Sequence, residues 1–98
     1  MSADAPHSQT LDRGVRILEH LAVAGGAVPI TEIGQVLGVH RSITYRLLRT
    51  LEDHQLVERD QQGHYRLGLG MAVLARGVRS DLQTAALPRL NALVAEWG

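Results

Sequence analysis

Apolar positions along this chain fall into blocks of helical period separated by short joints rich in glycine and turn formers. From Thr10 to Ala24, Leu11, Val15, Leu18, Leu21 and Ala22 recur at helical spacing, after a cap candidate at Ser8 or Thr10 and before Gly25-Gly26. That pattern predicts a first amphipathic helix. Ala27 to Ile30 is too short and β-branched for a helix and reads as a small strand. Thr31 followed by Glu32 reads as an N-cap with an acid in the first turn, opening a short helix that runs to Leu37. Gly38 then ends it in a left-handed conformation, and the period resumes at His40 and continues to His54.

Two helices joined by three or four residues form a helix-turn-helix. Small Gly34 where the helices would approach, apolar Ile33 and Leu37, Val39 in the turn and Leu47 in the second helix agree with that reading. Thr44 stands where an aliphatic residue is more usual. Leu56 to Asp60, the turn Gln61-Gln62-Gly63 and His64 to Leu67 then spell strand, turn and strand, a hairpin placed as a wing. Gly68 and Gly70 punctuate the chain. Met71, Leu74, Ala75 and Val78 predict a further helix, and Leu82, Ala86, Leu90, Leu93, Val94 and Trp97 a last one, capped by Asp81 and kinked or restarted at Pro88. The expected fold class is mainly α with a small β-hairpin. A disordered arm (1–8) precedes a winged helix-turn-helix (9–69), and linker or dimerisation helices (70–98) follow.

Composition narrows the class. A chain of 98 residues holds one small domain, and with no Phe, one Trp and two Tyr its core must be aliphatic. No cysteine means no disulfide framework and no thiolate zinc site, which fits a reducing cytoplasm. Neither a signal peptide nor an apolar run near the ~20 residues of a membrane span is present, so the expectation is a soluble cytoplasmic protein without membrane contact.

Net formal charge is zero, which argues at first against nucleic acid. Distribution matters more than the sum. All ten basic residues are arginine, and Arg41, Arg46 and Arg49 lie in a stretch from Gly38 to Leu51 that contains no acid. Projecting 40–54 at about 100° per residue puts Thr44, Leu47, Leu48 and Leu51 in one arc and Ser42, Tyr45, Arg46 and Arg49 on the opposite one. Arginine can bond guanine O6 and N7, serine a phosphate or a base, and tyrosine a phosphate or a thymine methyl. Arg41 in the first turn suits a phosphate, and Ile43 on the flank a methyl group. The plain alternative for this stripe is a solvated face with arginine for solubility. Thr31 is either a cap alone or part of a helix N-terminus that accepts a phosphate. The wing residues Gln62, His64 and Arg66 can meet phosphate or the minor groove, or form an ordinary polar hairpin tip. Arg13, near the start of the first helix, has the same ambiguity.

Catalytic and metal chemistry finds no foothold. The histidines at 7, 20, 40, 54 and 64 show no metal-ligand spacing with each other or with carboxylates and read as surface or satisfied residues. No glycine loop cradles a phosphate. Ser42 with His40 is not a nucleophile pair, because a histidine two positions away points around the helix. Neither an enzyme nor a cofactor is expected.

The run Leu11-Asp12-Arg13-Gly14-Val15-Arg16-Ile17-Leu18, then Thr31-Glu32-Ile33-Gly34, Arg41-Ser42-Ile43-Thr44-Tyr45-Arg46-Leu47-Leu48-Arg49-Thr50-Leu51, Leu56-Val57-Glu58-Arg59-Asp60 and Tyr65-Arg66-Leu67-Gly68 resembles the amino-terminal domain of the isocitrate lyase regulator (IclR) family. Ile43-Thr44 depart from it, standing where the family more often has a small hydroxyl residue and then an apolar one. The resemblance implies a winged helix-turn-helix, a linker helix and a larger domain sensing a small metabolite, typically an organic or aromatic acid. It also implies dimers or tetramers on palindromic double-stranded operators, as repressors or activators. Because the chain stops at Gly98, the expectation is a fragment that lacks the effector domain. The apolar stripe from Leu82 to Trp97 exceeds what a winged domain needs, so it should pack on another chain or on missing sequence, and two copies would supply the two-fold symmetry of half-site recognition. The competing expectation is a winged helix used only for protein association.

Overall fold

The computed structural model describes residues 7–81, in the order α1 (Gln9–Ala24), α2 (Ile30–Leu37), α3 (Arg41–Asp53), β1 (Val57–Arg59), β2 (Tyr65–Leu67) and α4 (Gly70–Asp81). Most of the expected arm, and the last expected helix with Pro88, lie outside the described residues. Asp81, expected as a cap for that helix, is the last residue of α4.

Helix α1 opens where Ser8 Oγ accepts the N–H of Leu11 at 3.3 Å and closes at Gly25, whose φ of 75° only glycine adopts freely. Its core face is Gly14, Ile17 and Leu21, with Leu18 packed beside them. This corrects the expected stripe: Leu11 and Val15 are exposed, at 67% and 44%. Glycine at 14 has no side chain to register in a hydrophobic pattern, so the buried face lies rotated from the one periodicity selects.

The strand expected at Ala27 to Ile30 reduces to one bridge. Val28 N donates to Tyr65 O at 2.9 Å and Tyr65 N to Val28 O at 2.8 Å. Pro29 then serves as N-cap of α2 without any side-chain bond, so Thr31 is a first-turn residue rather than the cap. The extended backbone of the bridge leads directly into the helix, and Pro29 O accepts the N–H groups of Glu32 and Ile33. Gly38 closes α2 at φ 69°, donating to Gly34 O at 2.8 Å.

Helices α2 and α3 cross closely at Gly34, where an added Cβ would lie 3.3 Å from Thr44 Oγ1. Thr44 is fully buried, and its hydroxyl donates to His40 O at 3.2 Å, which explains how a polar side chain occupies an aliphatic position. The antiparallel hairpin pairs Val57 with Leu67, Glu58 with Arg66 and Arg59 with Tyr65. Val57 and Tyr65 close the core against Ile17, Leu21, Val28, Ile33, Leu37 and Leu48. Helix α4 keeps Val73, Leu74 and Val78 largely exposed, so its apolar positions add little to this core.

Two further contacts tie α1 to α2. Arg16 Nη2 donates to Val36 O at 3.0 Å, and His20 Nε2 lies 2.7 Å from Glu32 Oε2. Sequence spacing does not pair His20 with Glu32. This pair spans two helices and is visible only once they pack.

Candidate nucleic-acid interface

The second helix of the pair, α3, separates its two faces cleanly. Thr44 and Leu48 are buried and Leu47 and Leu51 partly so, while Arg41, Ser42, Tyr45, Arg46 and Arg49 face solvent. A core contact on one side fixes the helix, and the other side is left as a rigid stripe of guanidinium, phenol and hydroxyl.

His40 begins that helix. Its Nδ1 accepts the N–H of Ser42 at 3.2 Å and lies 3.0 Å from Ser42 Oγ. The expectation that His40 points away from Ser42 is therefore incorrect. His40 stands outside the helix, with φ −65° and ψ 150°, so helical spacing does not govern its ring, which folds back as a cap. With Nδ1 an acceptor, the Ser42 hydroxyl turns its proton toward the cap and offers its lone pairs to a ligand.

Arg13 joins the stripe from α1. With Thr10 it faces Ile43, Arg46, Leu47 and Thr50 across an open cleft of about 310 Å³. Two guanidiniums on either side of an apolar floor suit a phosphate chain lying along the cleft. Thr10 enters the sequence reading only as a cap candidate, because nothing local to it signals proximity to α3.

The other candidates lie on separate elements. Thr31 is exposed in the first turn of α2, where its backbone N–H belongs to the set that no helical carbonyl satisfies. On the wing, Asp60 Oδ1 accepts the N–H groups of Gln62 and His64, each at 2.9 Å, and so shapes the tip that carries both candidates. The His64 N–H holds the Asp60 carboxyl below its usual range against desolvation, the next largest influence, with Gln62 and the nearby charges of His64 and Arg66 adding to the lowering. A depressed carboxylate stabilises the turn above its unfolded pKa, and that stabilisation is lost as pH falls through the folded one. The amide shifts of Gln62 and His64, followed by NMR on acidification, should titrate together with a midpoint below ~3.9. A midpoint at or above that value would contradict the turn geometry.

Carboxylates also approach two of the arginines. Arg49 Nε is 3.9 Å from Asp53 Oδ1, and Arg66 Nε is 2.7 Å from Glu58 Oε1. Arg59 lies 6.0 Å over the Tyr65 ring. Among the described residues no three His, Asp or Glu side chains gather to hold a metal ion. No described helix is long and apolar enough to cross a membrane.

Comparison with known proteins bears on this geometry. The family model described as the IclR helix-turn-helix domain matches residues 10–61. The chain is 39% identical over 64 residues to the HTH-type transcriptional repressor AllR of Klebsiella pneumoniae, covering 64% of this chain and 24% of that protein. It is 38% identical over 61 residues to the transcriptional repressor IclR of Escherichia coli K12, covering 61% of this chain and 22% of the relative. The crystal structure of a transcriptional regulator of the same type from Alicyclobacillus acidocaldarius superposes with a TM-score of 0.70 at 32% identity, over 74% of this chain and 30% of that one. The chain thus spans about a quarter of the length of these curated relatives.

Proposed function

Because the chain belongs to the IclR helix-turn-helix family, we propose that it binds double-stranded DNA in a sequence-specific way, with α3 in the major groove and the wing on the backbone or minor groove. The observation that carries this reading is the exposed stripe of Arg41, Ser42, Tyr45, Arg46 and Arg49, approached by Asp53 at its far end and held rigid by the burial of Thr44 and Leu48. Arg46 and Arg49 read bases, Arg41 and Arg13 hold phosphates, and Ile43 meets a methyl group. The free N–H groups at Thr31 and the tip residues Gln62 and His64 add backbone contacts.

The protein acts as a transcriptional regulator in the cytoplasm, as a homodimer on a palindromic operator. Support for the dimer comes from apolar side chains the fold leaves uncovered, Leu69, Val73, Leu74 and Val78 on and beside α4 and Leu11 and Val15 on α1. Two-fold association places two α3 helices on successive half-sites. These faces fit association that accompanies DNA binding, so they do not favour a protein-association module in its place.

Selecting bound duplexes from a random pool tests the reading. Arg46→Ala and Arg49→Ala should each weaken the selected site by ~1–3 kcal/mol and relax the base preference at one position. Unaltered affinity and preference in both variants would remove α3 as the reading helix.

A further inference from the structure

One of the arginines offered to DNA is already engaged. Arg66 Nε donates to Glu58 Oε1 at 2.7 Å, from the residue directly opposite in the hairpin register. Both side chains are about half exposed, at 55% and 44%. Strand alternation turns Val57 and Tyr65 inward and leaves Glu58 and Arg66 together on the outer surface of the wing. The same pairing recurs in the charge count: from Val57 to Leu67, Arg59 and Arg66 are matched by Glu58 and Asp60. With His64 neutral, the wing presents no net charge to a polyanion.

We propose that Glu58 competes with DNA phosphate for Arg66, so that the wing contributes little to binding on arbitrary duplex and engages once α3 has docked in register. Glu58 is thereby a specificity-determining residue, although it touches no base. The inference rests on the DNA-binding reading of α3 and deepens it. An exposed ion pair is weak enough to exchange for another anion, and a guanidinium bonds phosphate as well as it bonds carboxylate. Docking of α3 raises the local phosphate concentration at the wing, which lets the exchange occur there and suppresses it elsewhere. Arg49 and Asp53 form a looser version at 3.9 Å, in the less favourable order along a helix, with the cation first. Glu58 is therefore the sharper probe.

Glu58→Gln keeps the size and hydrogen-bonding capacity of the side chain and removes only its charge. The test titrates the full 98-residue chain against an unselected duplex at two salt concentrations fourfold apart. One added phosphate contact steepens the salt slope by about 0.9, so lowering salt should strengthen binding by the variant about 3.5-fold more than by the parent. That extra gain should vanish when Arg66 is also changed to Gln, because the released guanidinium is its source. A Glu58→Gln protein that binds no more tightly than the parent, or a gain that survives intact beside Arg66→Gln, overturns the proposal. A parent that binds no duplex removes the reading of α3 itself, and this outcome is seen in the parent alone.

Discussion

Leu48→Ala is expected to lower the thermal midpoint by at least about 8 °C, the consequence of a loss of ~2–5 kcal/mol in a domain of this size. Leu48 is fully excluded from solvent on the inner face of α3, one turn beyond the equally buried Thr44. Truncation removes aliphatic contacts where the two buried side chains of α3 anchor the helix, and leaves a void between that helix and the cluster formed by Ile17, Ile33 and Val57. A chain with so small a core sits near the lower end of the usual 5–15 kcal/mol, so a substantial unfolded fraction should appear even at moderate temperature. Urea unfolding followed by far-ultraviolet circular dichroism reads the effect as a fall in midpoint at constant slope. A loss below about 1 kcal/mol would mean that α3 is not held through this residue.

Gly68→Ala is expected to cost about 3 kcal/mol, the upper part of the range for forcing atoms into filled space. An added Cβ would lie 2.4 Å from the carbonyl oxygen of Gln55 and 3.2 Å from Val57 N. Backbone atoms cannot swing aside as a side chain end would. Gln55 is itself constrained, at φ 61°, and its carbonyl accepts the N–H of Gly70 at 2.8 Å, while Gly68 N donates to Leu56 O at 2.8 Å. Relief would require separating the end of α3 from the return strand of the wing. Gly77→Ala makes the same chemical change in α4 with no neighbouring atom within 4 Å. It should be neutral or stabilising by up to about 1 kcal/mol through helix propensity. Equal effects at the two glycines, measured by the same urea transitions, would contradict the close approach.

Legibility in the sequence follows the range of the interaction. Helix α3 is plain from local pattern because Thr44 and Leu48 alternate with Arg46 and Arg49 at the helical period, and Gly38 signals the turn before it. Features made by distant packing are not. Periodicity turns Leu11 and Val15 inward because it gives no weight to Gly14, which lies on the buried face of α1. Helix α2 starts at Ile30 because Val28 is tied to Tyr65, a partner far along the chain. Gly68 and Gly70 read as punctuation, while their reason, the carbonyl of Gln55, belongs to another element. The Glu58–Arg66 pair is an intermediate case. Its register follows from a hairpin turn centred on Gln62, so the contact is implicit in the sequence, but a charge count over the whole chain hides it. Arg13 meets Arg46 across a cleft that only the packing of α1 on α3 creates.

The central claim, that the face of α3 holds DNA through its arginines, is tested most directly by titrating the chain against a selected duplex over a range of salt concentrations. Three phosphate contacts, from Arg13, Arg41 and, with the wing engaged, Arg66, predict that log affinity falls against log salt with a slope of about −2.7 per protein copy. An affinity that does not fall as salt rises would contradict the account.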